Sequence, residues 1–385
     1  MRMKDGFIKI IFAFSIILVT ATAYAAKPTT LMYVANEGDN NVMVVDLSTE
    51  QIIATIPTGK VPHAIVFAAG NAYVNNRGSK FLTVIDTKTL EAVGVIPLQA
   101  ISFQLALSPD GELLAVSYKD ALMVSIIDVA SNVILATVPL GETPEGGFPE
   151  NPMKHPHWSK DGKFLYVQNN IEKTIVKIEA ETFAIAAEIP MPGSNHDLVP
   201  SANDKIIYAV NQDTNSGTSL TVIDAENDKV INDITVPLLP GETGYGHHGD
   251  LTPNGKTFYF CNEGGNSVTL IDTTSMQVIK SLVVGWGAGH PVFSNDNQKV
   301  FIVPHKDNVI SVIDVATQEV VANITAGVGK NFAHSSYVTN DGKYLYVLNV
   351  NDKKLVKIDT VSLSVVSTIP VGTKALAFGI TSAQL

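Results

Sequence analysis

The 385-residue chain carries 26 basic against 37 acidic residues, a formal charge of −11, with 45% apolar residues and a single cysteine. That acidic balance argues against nucleic acid or an anionic membrane surface as partner. Cys261 alone allows no internal disulfide, no Cys-Xaa-Xaa-Cys metal site and no covalent c-type haem, and inside Tyr-Phe-Cys-Asn it reads as a buried structural residue.

Residues 1–25 read as a signal peptide. Arg2, Lys4 and Lys9 precede an apolar run over 10–19, and Ala23-Tyr24-Ala25 offers small residues at the cleavage positions. The run is short for a membrane span, and no cysteine follows to accept lipid. The expectation is a periplasmic or secreted protein without membrane insertion. Its charge after cleavage is −13, since three cations and one acid leave the original −11. No Pro-rich or Gly/Ser-rich linker divides residues 26–385, so they are expected to form one domain.

A phrase then recurs along the chain: a strand ending in Tyr-Val-Xaa-Asn, a polar turn, Val-Ile-Asp-Thr, and a run toward Ile-Pro-Xaa-Gly. Its acid falls at Asp46, Asp86, Asp128, Glu179, Asp224, Asp272, Asp314 and Asp359, at spacings of 40 to 51 residues. Short strands at that period predict a β-propeller, because a small sheet cannot cover both of its faces and stacking around an axis covers them. Ser-Pro-Asp-Gly and its variants over 108–111, 159–162, 252–255 and 339–342 predict hairpins between the first and second strands of a blade. The chain therefore starts one strand late and ends with an extra strand over 375–381. Pairing that strand with the first unit closes the ring and removes both edges. Every unit keeps both marker strands, which favours an eight-bladed propeller over a seven-bladed one.

All nine histidines map to the face that carries the inter-blade connections and the turns between second and third strands. Counted back from the hairpin Asp or Asn, His63, His155, His248 and His290 share one register, with Gln104, Asp197 and Ser335 at the matching place elsewhere. Equivalent positions in successive blades form a ring, so these imidazoles are expected to converge on the mouth of the central channel. His305 lies in a turn of the same face. The insertions over 142–154 and 239–246, and Trp286 before Gly287–Gly289, surround that mouth. One such histidine would be explained by a bond to the neighbouring blade. Four at one register, with none on the opposite face, point to a binding site.

Candidate metal ligands are His155, His248, His290, His305 and Asp197, with Asp250 and Glu263 as ligands or orienting acids. His157, His247, Trp286 and His334 join them as candidate cofactor contacts. Adjacent His247 and His248 are expected to diverge along a regular strand, with His248 preferred on register. Imidazole suits zinc, copper or iron alike. No Gly-Xaa-Ser-Xaa-Gly elbow or phosphate loop appears, and no catalytic residue is assigned. Binding of a small ligand or metal, with transfer to a periplasmic acceptor protein, is favoured over catalysis. A metal- or tetrapyrrole-dependent oxidoreductase and a cofactor-free interaction scaffold are the alternatives.

The segments Tyr33-Val34-Ala35-Asn36, Tyr166-Val167-Gln168-Asn169 and Tyr346-Val347-Leu348-Asn349, each followed by the strand that ends in the recurring acid, resemble the YVTN family of bacterial propeller repeats. Gly289-His290-Pro291-Val292-Phe293, the later Pro304-His305-Lys306 and Gly246-His247-His248-Gly249-Asp250 are similar to segments of the haem-d₁ propeller of cytochrome cd₁ nitrite reductase and its cofactor-assembly relatives. That resemblance implies histidines that ligate or flank a tetrapyrrole iron on this face. The chain departs from it in lacking Cys-Xaa-Xaa-Cys-His and in having only Arg2 and Arg77 to meet macrocycle carboxylates. A second resemblance, to periplasmic zinc-chaperone propellers, implies a bare ion held by histidines of the same face.

Overall fold

The computed structural model describes residues 29–142, 152–153, 155–213 and 217–383, side chains at 29, 213, 333, 334, 382 and 383 excepted. The expected signal peptide and most of the 142–154 insertion lie outside these residues. Among those described, the secondary structure is entirely strands and turns, and no helix is long and apolar enough to cross a membrane.

The strands form eight four-stranded antiparallel sheets, the blades of an eight-bladed β-propeller. Blade 1 combines Thr29–Asn36, Asn41–Asp46 and Gln51–Pro57 with the last strand, Ala375–Ala383, which pairs with Thr29–Asn36 from Leu31↔Thr381 to Ala35↔Ala377. This is the expected closure. The other innermost strands are Pro62–Ala68 in blade 2, Ser102–Leu107 in blade 3 and His157–Trp158 in blade 4. Ser194–Pro200, Gly246–Leu251, Ala288–Phe293 and Phe332–Val338 follow in blades 5 to 8.

Burial follows from stacking. The second strand of each blade, such as Ala72-Tyr73-Val74 or Phe258-Tyr259-Phe260-Cys261, is buried on both faces because a neighbouring blade covers each. The outermost strands alternate and leave Val95, Val133 and Val321 more than half exposed. The core is accordingly a set of eight apolar clusters, one at each blade-to-blade seam. Blades 8 and 1 are joined by Met32, Val34, Tyr346, Leu348 and Ile369 among others. At about 25 cal/mol per Å² of apolar surface removed from water, each seam contributes to the stability of its neighbours as well as its own blade.

The recurring acid has a local task. Asp46, Asp86, Asp224, Asp272 and Asp359 each accept backbone N–H bonds from the second and third residues after them, which turns the chain toward the outermost strand. Asn169 and Asn349, which end the Tyr-Val-Xaa-Asn phrase, donate instead to carbonyls of the preceding inter-blade connection, Leu140 and Ala326. The motif thus encodes turns and seams.

A candidate metal centre at the channel mouth

Each innermost strand is irregular where it enters the sheet, and that irregularity builds the site. In blade 6, Gly246 pairs with Asn262 and Gly249 with Phe260, so His247 and His248 together face only Cys261. Two residues against one is a β-bulge, which tilts both side chains off the pleat. The expected divergence of the adjacent pair is therefore overturned: their rings lie 4.4 Å apart between centroids. In blade 5 the register shifts around His196, which falls between Asn195↔Asn211 and Asp197↔Val210. Gly289 occupies the same place in blade 7, between Ala288↔Pro304 and His290↔Val303.

These pairings also correct one register. His63 stands level with His196 and His247, one place before the position of His248, because Ala68↔Asn71 closes the blade 2 hairpin with only Ala69 and Gly70. The longer Ser-Pro-Asp-Gly type of hairpin had set the count.

Six imidazoles gather on blades 4 to 7. His155, His196 and His248 form one group and His247, His290 and His305 another, with the donor atoms of each group within 4.8 Å of one another. The groups touch through two stacked pairs, His196 with His247 at 4.1 Å and His248 with His290 at 3.9 Å. Three nitrogens about 2.05 Å from a tetrahedral ion stand about 3.4 Å apart, so closing on an ion needs only small side-chain adjustments. Gly289 makes room for the second group. A Cβ there would lie 2.5 Å from Nε2 of His305, and no larger residue leaves that ring in place.

Carboxylates orient the rings from behind. Asp197 Oδ2 lies 3.0 Å from His248 Nδ1. Glu263 Oε2 lies 3.3 Å from His247 Nε2 and 3.8 Å from His305 Nδ1, and Lys306 Nζ is 3.3 Å from its other oxygen. Gln104 and Gln212 meet Nδ1 of His155 and His196 at 3.3 and 3.0 Å.

Burial, reinforced by the charge of His248, drives His155 down to about 3. Burial and then the neighbouring imidazoles hold His247 well below the usual histidine range, and burial lowers His157. Burial alone would raise Asp197, yet His248 and its hydrogen bond outweigh that and lower it. A neutral His155 and His247 beside an ionised Asp197 are protonation states that suit a cation.

A cavity of about 630 Å³ opens in front of the cluster. His155, His196, His248 and His290 line it together with His63, Arg77, Phe103 and Phe378, and the Phe103 ring stands edge-on to His155 at 6.0 Å. Arg77 is fixed there by its Nε bond to the Phe103 carbonyl, 2.9 Å, and by lying 4.2 Å above the Phe103 ring. Burial lowers it to about 10, which keeps it cationic at neutral pH.

Of the residues singled out from sequence, His155, His248, His290, His305 and His247 come together, with Asp197 and Glu263 against them. His157 lines the cavity but belongs to neither group. Asp250 lines a neighbouring recess with His290 and Ser335, and burial raises it to about 6. Trp286 is 45% exposed, its backbone bonds Asp307 and Lys306, and it is not among the residues lining the cavity or forming the two imidazole groups. The side chain of His334 lies outside the described residues. His196 is the member that register counting did not select. A search for polar pairs, rather than single positions, at the start of each inner strand would have found it as Asn195-His196-Asp197.

A family model described as the cytochrome D1 heme domain matches residues 252–377, a stretch that contains His290 and His305. Among curated proteins, the chain is 23% identical over 350 residues to the uncharacterised protein YwhL of Bacillus subtilis (strain 168), covering 90% of this chain and 63% of that one. The chain thus spans less than two thirds of that relative's length. Among solved structures it is similar to dihydro-heme d1 dehydrogenase NirN in complex with DHE, with a TM-score of 0.75 and 18% identity over 89% of this chain and 73% of that one. AztD of Citrobacter koseri is similar with a TM-score of 0.64 and 11% identity, over 92% and 98% of the two chains. At such identities the likeness is one of fold. The resemblance to the haem-d₁ propeller read from sequence is shared by the family model and by the eight-bladed ring.

Proposed function

We propose that this chain is an exported binding protein that holds a transition metal at the imidazole cluster of the channel mouth and passes it to an acceptor protein. The observation that carries this reading is the convergence of three imidazole nitrogens within 4.8 Å, twice, with a carboxylate bonded behind each group. All-nitrogen donors suit zinc, copper or iron, and carboxylates on the outer ring nitrogens raise ligand basicity and fix ring orientation. The nearby cavity gives an incoming ion or a small chelate a route to the site.

A tetrapyrrole fits these residues less well. The six rings are packed against one another at 3.9 to 5.7 Å, so a macrocycle would have to lie in the cavity in front of them. One guanidinium, Arg77, lines the cavity to meet a macrocycle's carboxylates. The match of 252–377 to the haem-d₁ domain favours that second reading, and with it an oxidoreductase.

The test is elemental analysis and a visible spectrum of untagged protein, followed by zinc titration of the stripped form. A colourless protein with stoichiometric metal, or stoichiometric uptake after stripping, is expected. An intense Soret-type band would overturn it in favour of the tetrapyrrole. No uptake and no change in Tm with zinc would leave an interaction scaffold.

A further inference from the structure

Among the described residues Arg77 is the one arginine, and every other basic residue there is a lysine or a histidine. Its guanidinium is held by blade 3 through Nε, which donates to the Phe103 carbonyl at 2.9 Å, and through the Phe103 ring, 4.2 Å beneath it. Only one of its three nitrogens is used in this way. The two terminal nitrogens have no hydrogen-bond partner among the described residues, and the side chain lines the 630 Å³ cavity. It forms no ion pair among those residues either: Glu37, the acid whose field it shares, gives Oε1 to His63 at 2.7 Å.

Such a cation is badly placed for a bare metal ion. The Phe103 ring also stands edge-on to His155 at 6.0 Å, so a single side chain separates the guanidinium from the imidazoles of His155, His196 and His248, and its positive charge acts on His155. A fixed cation at that range repels a dication and attracts one whose own ligands have reversed its charge. Lys119 and Lys374 act with Arg77 on Glu37 and extend the positive field along this part of the rim, in a chain whose net charge is −11.

We propose that the cavity receives its metal as a complex with a small open-chain di- or tricarboxylate, and that Arg77 is the subsite for a carboxylate the metal leaves free. This rests on the reading that the imidazoles hold a metal. A planar guanidinium with its fork open takes a carboxylate through two parallel N–H···O bonds, which a lysine cannot reproduce. Three imidazoles leave a tetrahedral ion one position, and an oxygen of the same ligand fills it. The ligand therefore needs a carboxylate at each end, and a monocarboxylate reaches only one of them. Ile65, Phe103, Leu105 and Phe378 supply apolar wall between, which suits a short hydrocarbon skeleton.

The experiment is equilibrium dialysis of the full untagged chain against Zn²⁺ and radiolabelled citrate, with zinc and citrate per chain measured together. Citrate should be retained with the zinc, one per chain, and acetate at the same concentration should not displace it. Arg77→Gln should weaken citrate retention at least about tenfold, the loss of a charge-assisted pair. Zinc from citrate-free buffer should bind that variant at least as tightly as the wild type, since a like charge is gone. Arg77→Lys should fall between the two, because it keeps the charge without the fork. If circular dichroism shows that Arg77→Gln does not fold, Arg77→Lys carries the test, with weaker citrate retention and undiminished zinc binding expected. Zinc retained without citrate, citrate retention that the Arg77 variants leave unchanged, or displacement by acetate overturns the proposal and leaves the metal-binding reading intact. Absence of zinc from the wild-type protein in citrate-free buffer overturns both.

Discussion

Blades 4 to 7 and blades 1 to 3 share the same bulged entry to the innermost strand, yet only one half carries the imidazole cluster. In blade 6 the bulge presents His247 and His248, and in blade 3 the same two places hold Phe103 and Gln104. In blade 2 they hold His63 and Ala64, and His63 meets Glu37, 2.7 Å away. The scaffold is repeated around the ring. Among the described residues the imidazole groups occupy an arc of it, and Arg77 and the Phe103 ring line the same cavity.

The largest effect that separates scaffold from site is expected from removing residues 375–385. This strikes blade 1, outside the cluster, and leaves an open edge beside the seam of Met32, Val34 and Tyr346. Stability should fall by more than about 5 kcal/mol, read as a drop in Tm of about 10 °C or more, and metal uptake should fall with it. A truncated protein that melts unchanged would show that closure contributes nothing.

The two halves are compared directly by His248→Ala and His63→Ala. The first should weaken zinc binding about 100-fold or more in a calorimetric titration and cost about 1–3 kcal/mol, because Asp197 loses its hydrogen-bond partner. The second should leave zinc stoichiometry unchanged but cost about 1–3 kcal/mol, because burial already raises Glu37 and its partner would be gone. Loss of zinc binding in His63→Ala would erase the distinction between the halves.

Proton linkage sharpens the contrast. His155, His157 and His247 have folded-state values below the unfolded value, so the unfolded chain binds more protons than the folded one as pH falls. Their stabilising contribution is present above about pH 6.5 and is lost progressively below it, down to about 3 for His155. In the metal-free protein His155 should add a slope approaching about 1.4 kcal/mol per pH unit below about pH 6.5, with His157 and His247 adding in the same direction. Urea unfolding between pH 7 and 5 measures it. His155→Gln should flatten the slope, and an equal slope in that variant would rule His155 out as a source.

Gly289→Ala probes the local fit. The added methyl displaces the His305 ring, and zinc affinity should drop about tenfold with the blade still folded. Trp286→Ala should change neither zinc binding nor stability by more than about 0.5 kcal/mol, since the ring is exposed and away from the cluster.

The ring was legible in the sequence because the repeated phrase encodes local events: an acid that caps a turn, an Asn that ties a seam, alternating apolar strands. Closure followed from counting strands, with the remainder at the end of the chain. The site was legible only to the precision of strand registers. Counting from the hairpin placed His155, His248 and His290 together, and it misplaced His63 because one hairpin is shorter. It passed over His196 and split His247 from His248, since a bulge depends on how two strands pair and no single strand announces it. Trp286 drew notice by its rarity and its loop, and neither of those fixes where a side chain turns.

The first described strand, Thr29–Asn36, waits for Ala375–Ala383 before its sheet is complete. While the chain is being synthesised, that early strand has one hydrogen-bonding edge with no occupant, and the contact it needs lies more than 300 residues downstream. Such a distant contact is slow to form and makes assembly a late, all-or-none event. Ala377 and Phe378 of the closing strand also line the cavity. The pocket wall is therefore finished only at the moment of closure, and cargo captured earlier by the imidazoles would sit in an open trough, free to leave.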